Sequence, residues 1–305
     1  MIQIISTQIT ILIIIAIGYA ITKAGVFSSK TRADLTNVVI YVVLPCNIFN
    51  AFHKGITPDV LRQCLVVLIA ATCLQVLAYI LNKILYIKTP PERRIILKYA
   101  TITNNAAFLG LPILGAIYGP TGVLYGSIML IPMRVAMWTA GLSLYTRMEK
   151  KETFKVIATH PCIWAVIVGF AYIYVPFELP AFLANAIKLV GDCVTVLPML
   201  IVGSILCGVK LREVLVWDCF YFSIFRLIVI PAIVFGAMKL LNVDPLVTGV
   251  AVLSSAMPAA MMTAMLAEKY GHDSAFSSKT VFVSTALSMV TLPVIAVLLA
   301  RISPV

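Results

Sequence analysis

Ser254-Ser255-Ala256-Met257-Pro258 interrupts a hydrophobic stretch, 246–267, that is otherwise long enough to cross a membrane. A proline at that depth removes a backbone N–H and clashes with the preceding turn. Half a chain earlier, Asn104-Asn105 interrupts the stretch 96–117, and asparagine competes for the backbone hydrogen bonds a helix needs. Two further pairs recur at almost the same separation: Val42-Val43-Leu44-Pro45 with Thr195-Val196-Leu197-Pro198, and Tyr118-Gly119 with Tyr270-Gly271. The recurrence predicts a duplicated unit. Unwound backbone inside a bilayer is tolerated only where protein or a water-filled cavity satisfies it, so each break reads either as a kink packed by its neighbours or as part of a midplane binding site.

The rest of the chain supplies the setting. Of 305 residues, 61% are hydrophobic and only 11% charged, with a mean hydropathy of +1.04. No water-soluble domain of this length could bury that much apolar surface in one core. A spanning helix needs roughly 20 mostly apolar residues, and ten such stretches are legible: 4–22, 35–52, 60–86, 96–117, 121–146, 162–176, 183–207, 216–240, 246–267 and 276–299. The N-terminal MIQIISTQITILIIIAIGYA lacks the basic start and small-residue cleavage site of a signal peptide and is expected to be the first span. Because five is odd, a second copy of a five-helix unit must enter the membrane upside down. The expected fold is therefore all-α, with ten transmembrane helices as two inverted five-helix repeats, 1–152 and 153–305, whose helices 4 and 9 are broken.

A net charge of +11 could suggest a nucleic-acid partner, but the positions of the charges argue against it. The odd-numbered connections hold Lys23, Lys30 and Arg32, then Lys83, Lys88, Arg93, Arg94 and Lys98, then Arg147, Lys150, Lys151 and Lys155, then Lys210 and Arg212, and finally Lys269 and Lys279. The even side, termini included, holds only Lys54, Arg62, Lys188, Lys239 and Arg301. By the positive-inside rule the odd loops are cytoplasmic, which places both termini outside a cell inner membrane.

Several chemistries are disfavoured. The seven cysteines form no C-x-x-C pair and fall mostly inside spans, where they read as small apolar residues. His53, His160 and His272 lie near span ends and far apart, and Met257, Met261, Met262 and Met265 read as adaptable packing. No G-x-x-x-x-G-K-[ST] or H-E-x-x-H motif is present, and Asp192 has no second carboxylate deep within a span, Asp218 lying at the edge of 216–240. An enzyme is not expected, and no cofactor or metal is implied.

The run Asn105-Ala106-Ala107-Phe108-Leu109-Gly110-Leu111-Pro112, with Tyr118-Gly119 beyond it, resembles the fourth-helix signature of the auxin efflux carrier family. Pro258, Leu266-Ala267-Glu268-Lys269-Tyr270-Gly271 and Ser288-Met289-Val290-Thr291-Leu292-Pro293 are similar to its C-terminal signature. The resemblance spans the chain. It implies a fold related to the plant auxin carriers and the bile-acid sodium symporters, with a scaffold part and a transport part. It also implies elevator-like carboxylate transport, with the crossing of helices 4 and 9 holding the carboxylate. Two departures stand out. The plant carriers have a proline where this chain has Asn104, and a polar residue where it has Ala259. The connection Arg147 to His160 is too short for the plant regulatory loop. The chain resembles a compact bacterial member, for which malate, malonate, lactate and similar acids are the implied substrates rather than auxin.

Charges inside the spans bear on this independently, since each costs about 2.5–3.5 kcal/mol at a helix centre. Arg134, Asp192 and Arg226 stand out, and their positive surplus suits an anion that a guanidinium can grip through two parallel hydrogen bonds. The structural alternative is an internal pair of Asp192 with Arg226 or Arg134. For Arg226, in a span expected in the scaffold, the structural role is favoured. Asp192 could equally couple transport to a proton or sodium ion. The candidate substrate-binding residues are Asn104, Asn105, Pro258, Ser254, Ser255, Arg134 and Asn47, the last beside Asn50 after Pro45. The partners implied are a small organic anion and the lipid bilayer; a homodimer stays open, as do a sodium-coupled symporter and a channel or sensor built on the same fold.

Overall fold

The computed structural model describes residues 2–53, 58–145, 159, 161–173, 175, 178–207 and 216–302. Lys54, Arg147, Lys150, Lys151, Lys155, Lys210, Arg212 and His160, assigned above to loops or span ends, lie outside them. The described chain is helical throughout, and its one strand-like feature is an isolated backbone bridge between Asn104 and Ala259. Six helical stretches are long and apolar enough to cross a membrane: Lys30–Asn50, Asp59–Ile84, Ala106–Ala136, Ala181–Ser204, Trp217–Leu240 and Ser274–Arg301. Ile13–Lys23, Pro161–Ile173 and Pro245–Ser255 are shorter apolar helices. This is a multi-pass membrane protein.

The helices are numbered in chain order: α1 Ile2–Lys23, α2 Ser29–Val38, α3 Leu44–His53, α4 Pro58–Ile84, α5 Pro91–Ile102, α6 Leu111–Ala136, α7 Pro161–Ile173, α8 Ala181–Asp192, α9 Val196–Cys207, α10 Trp217–Ile224, α11 Ile230–Leu240, α12 Pro245–Ser255, α13 Met262–Lys269 and α14 Ser274–Ile302. Caps mark several starts. Ser28 accepts from the Thr31 N–H ahead of α2, and Asp244 from the N–H groups of Leu246 and Val247 ahead of α12. In α4, Leu65, Ile69, Val76 and Ile80 are exposed while Val67, Ala71, Leu74 and Ala78 are buried, so one face meets apolar surroundings and the other packs.

The predicted interruptions are present. The stretch 96–117 is split by extended backbone after Ile102, and 246–267 by non-helical backbone after Ser255. Each second piece ends at the predicted Tyr-Gly. Gly119 lies at φ +64 and Gly271 at φ +72, a region glycine enters without the Cβ clash other residues meet. Gly119 sits inside the continuous Ala106–Ala136 run as a kink, which is why two predicted spans appear there as one long helix. Four five-residue π-helical turns, Val39–Val43, Ala106–Gly110, Met137–Gly141 and Phe225–Val229, lie within spans, and such turns concentrate at functional sites.

The chain forms two compact units. One comprises 1–65, 107–128 and 158–208, the other 66–106, 129–157 and 209–305. In the first, α1 packs on α9, and α3 on α7 and α8. A Cβ added at Gly203 would strike the backbone of Ile15 and Tyr19, and one at Gly18 the backbone of Leu200, so these glycines let α1 and α9 approach closely. In the second unit, α12 packs on α11, and α14 on α10 and α13. Arg93 Nη1 there meets Asp218 Oδ2 at 3.0 Å, with its guanidinium over the Phe276 ring at 5.0 Å.

Candidate functional site

Within the second unit the two broken segments meet. Asn104 and Ala259 form the backbone bridge, and the Asn105 N–H donates to the Pro258 carbonyl at 2.8 Å. Proline lacks an N–H, so this exchange can run in one direction only at that position, and Ala259 N–H turns instead to Ser284 Oγ at 3.2 Å. The departure from the plant pattern at Asn104 has a structural use here. Its side chain donates from Nδ2 to the Ser254 carbonyl at 2.6 Å and accepts from the Ala106 N–H at 3.2 Å. One amide thus satisfies an orphan carbonyl at the end of α12 and an orphan N–H at the start of the next helical turn.

Asn105 behaves differently. It is 3% exposed, yet its side-chain amide takes up no hydrogen bond among the described residues. In the other broken segment, Ser254 Oγ and Thr263 Oγ1 are buried without a hydrogen-bond partner among the described residues, whereas Ser255 Oγ is satisfied by Val252 O at 2.7 Å. Buried polar groups are nearly always bonded, so the two unsatisfied hydroxyls on either side of Pro258 stand out.

Arg226 forms no carboxylate pair within 4 Å among the described residues. Its Nε donates to Met257 O at 3.1 Å and Nη1 to Thr101 O at 3.0 Å. Thr101 O lies in the last turn of α5, where the helix dipole is negative, and Met257 O in the unwound backbone just after α12. Thr101 is held in turn by Leu97 O and by the Tyr86 hydroxyl at 2.7 Å. Tyr86 lies in the turn between α4 and α5, where burial pushes its hydroxyl well above the ordinary phenol range, so it remains neutral.

The first unit holds a separate cavity of about 650 Å³, lined among others by Asn47, Asn50, Pro112, Asn185, Lys188 and Asp192. Asn47 Nδ2 donates to Gly191 O at 3.3 Å, and Asn50 Nδ2 to Ile187 O at 3.2 Å. The internal pair expected of Asp192 with Arg226 or Arg134 is replaced by a local one: Lys188 Nζ meets Asp192 Oδ2 at 2.7 Å, one helical turn away, with both side chains more than half exposed.

Comparison with known proteins gives this geometry a context. A family described as membrane transport protein matches residues 3–159 and 155–296. The chain belongs to this family, the auxin efflux carriers and their relatives. It is 26% identical over 292 residues to an uncharacterized transporter of Methanocaldococcus jannaschii, covering 92% of this chain and 94% of that one. It is 28% identical over 301 residues to an uncharacterized transporter of Methanothermobacter thermautotrophicus, covering 96% and 97%. These relatives are archaeal. The protein is a membrane transporter, not an enzyme, and as such moves a small substrate across a lipid bilayer.

Of the candidate residues, Asn104, Asn105, Ser254, Ser255 and Pro258 come together at the crossing, and Arg226 is bonded to its backbone. Arg134 lies buried in the last turn of α6. Asn47 and Asp192 share the cavity of the first unit. Sequence reading missed Ser284, Thr263, Thr101 and Lys188. Ser284 is one of several hydroxyls along α14, and Thr101 stands beside Thr103 at the end of α5, so neither carries a distinguishing local signal. Lys188 stands four residues before Asp192, a spacing that could have revealed the pair.

Proposed function

We propose that this transporter carries small organic anions, mono- or dicarboxylates such as malate, malonate or lactate, by alternating access with an elevator-like movement. The observation that carries the reading is the pair of buried hydroxyls, Ser254 Oγ and Thr263 Oγ1, without a hydrogen-bond partner among the described residues, in the segment whose backbone meets Asn105. Helical turns begin beside it at Ala106 and, on the partner segment, at Met262, and the N-terminal ends of helices favour negative charge. Asn105, Ser254 and Thr263 would hydrogen-bond the carboxylate, Arg134 would add countercharge, and Asn104, Ser255 and Pro258 would hold the backbone around them. Asn47 would line the path, and Asp192 would serve coupling or structure. The surroundings are polar donors and an anion-favouring dipole, which suits a carboxylate better than a cation.

The ten-helix inverted repeat belongs to the same proposal. It is supported by the parallel order half-helix, break, half-helix and Tyr-Gly at positive φ in each half. A scaffold part and a transport part are supported by the division into two units that each draw on both halves. Span 8, expected in the scaffold, joins the crossing's unit instead, because Arg226 is bonded to both broken segments. The loop charges support a cell inner membrane with both termini outside.

The test is thermal unfolding of the purified protein against a panel of mono- and dicarboxylates, with neutral and cationic compounds as controls. A ligand of the folded state raises the Tm by mass action. A shift with one carboxylate that is lost in Asn105→Ala is the expected result. Stabilisation by a neutral or cationic compound and by no carboxylate would overturn the proposal.

A further inference from the structure

Transporters with broken helices divide the labour of the break: N-terminal half-helix ends face anionic groups, while unwound carbonyls and C-terminal ends coordinate the coupling cation. The crossing here has carbonyls of the second kind. Thr101 O lies in the last turn of α5 and Met257 O in the unwound backbone just after α12, and both accept from one fully buried cation, Arg226, at 3.0 and 3.1 Å. Arg226 is 3% exposed and has no carboxylate within 4 Å among the described residues, so its positive charge is balanced locally by carbonyl dipoles. A buried monovalent cation held by carbonyl oxygens at a helix end and in unwound backbone has the chemistry of an alkali-cation site, with the cation supplied by the chain itself. The π-helical turn Phe225–Val229 widens the helix where Arg226 leaves it.

We propose that Arg226 is the resident cation of the crossing: it occupies the carbonyl site that a coupling sodium ion would otherwise take, so the transporter folds and works without sodium. This rests on the crossing being the substrate site only for its bearing on coupling; the site itself is a claim about Arg226 and two carbonyls. Its consequence is a defined defect. Removing the guanidinium leaves Thr101 O and Met257 O facing a small polar cavity, which a monovalent cation of suitable size should enter and neutralise. Lysine keeps a charge but offers a point donor in place of the planar fork, so it should restore part of the stability and none of the cation dependence.

The experiment measures the Tm of detergent-purified wild type, Arg226→Ala, Arg226→Gln and Arg226→Lys in choline chloride, sodium chloride, potassium chloride and about 20 mM guanidinium chloride, a concentration with negligible denaturing action. It requires no substrate, so it stands whether or not a carboxylate is carried. Wild type is expected to show the same Tm in sodium as in choline. Arg226→Ala and Arg226→Gln should melt lower in choline and recover about 3–6 °C when guanidinium or an alkali cation is present at roughly ten times its Kd. If the neutral variants cannot be purified in choline, recovery of folded protein when guanidinium or sodium is present throughout gives the same support. A wild-type Tm that rises specifically with sodium overturns the proposal. So do neutral variants that fold but respond to no cation, and neutral variants that no cation recovers.

Discussion

Replacing Asn104 by alanine separates a residue that builds the crossing from one that serves it. The side chain of Asn104 is 6% exposed and makes two hydrogen bonds, to Ser254 O at 2.6 Å and from Ala106 N–H at 3.2 Å. Alanine strands a carbonyl and an N–H at the break. A buried group left unsatisfied costs about 1–3 kcal/mol, but polar bonds inside membranes average nearer 0.6 kcal/mol, because the unfolded reference also finds partners. For two groups the expected loss is about 2 kcal/mol, or roughly 4–8 °C in Tm. Asn105→Ala removes an amide with no side-chain bond among the described residues, and its Tm should fall by less than about 3 °C. The assay is thermal unfolding of both variants without ligand, followed by the carboxylate panel. Equal losses, or a larger loss in Asn105→Ala, would refute the division of roles. So would an Asn105→Ala protein that keeps its ligand shift.

Three other outcomes follow from the geometry. Gly203→Ala puts a methyl into the backbone of Ile15 and Tyr19 and should cost about 1–3 kcal/mol by overpacking, measured as a drop in Tm that Gly236→Ala, with open space at its Cβ, does not share. Asp192→Asn breaks an exposed i,i+4 pair with Lys188, so stability should change by only about 0.3–0.5 kcal/mol; a change in the pH or sodium dependence of uptake with stability intact would assign Asp192 to coupling, and unchanged uptake would leave it as a surface pair. Gly119→Ala and Gly271→Ala meet no neighbouring atoms, but each forces a side chain to positive φ, at a cost of about 1 kcal/mol at Gly271 and up to about 3 kcal/mol at Gly119, whose ψ of −153 lies in a region essentially confined to glycine. A larger Tm loss in either would show that the loss comes from packing and not from the backbone.

Much of this was legible in the sequence because the membrane imposes a coarse code. Apolar runs of fixed length announce spans, and proline or paired asparagines within them announce breaks, so the interruptions at Asn104-Asn105 and Pro258 and the Tyr-Gly turns were placed to within a few residues. What could not be read is how each break is satisfied. Asn104 and Asn105 are adjacent and chemically identical, yet one is consumed by Ser254 O and Ala106 N–H while the other keeps its amide. That difference depends on which way each side chain leaves the extended backbone, and sequence does not record it. The charges were misread for a related reason. A pair of Asp192 with Arg226 or Arg134 is one reading of the sequence because opposite charges inside a bilayer should seek each other, but a guanidinium carries five donors and is as well served by carbonyls.

That alternative changes what the buried charge means. A salt bridge would have cancelled Arg226 and left the crossing electrically neutral. Held by Thr101 O and Met257 O instead, Arg226 keeps its positive charge in the unit that also presents the Asn105 amide. The end of α5 and the unwound carbonyl after α12 fix the cation, and the helical turns that begin at Ala106 and Met262 present N–H dipoles. An anion entering such a site gains attraction from both, while a free cation finds its carbonyls already taken. The same two hydrogen bonds would therefore account for both the proposed preference for anions and the proposed indifference to sodium, and a neutral variant at position 226 should lose both together.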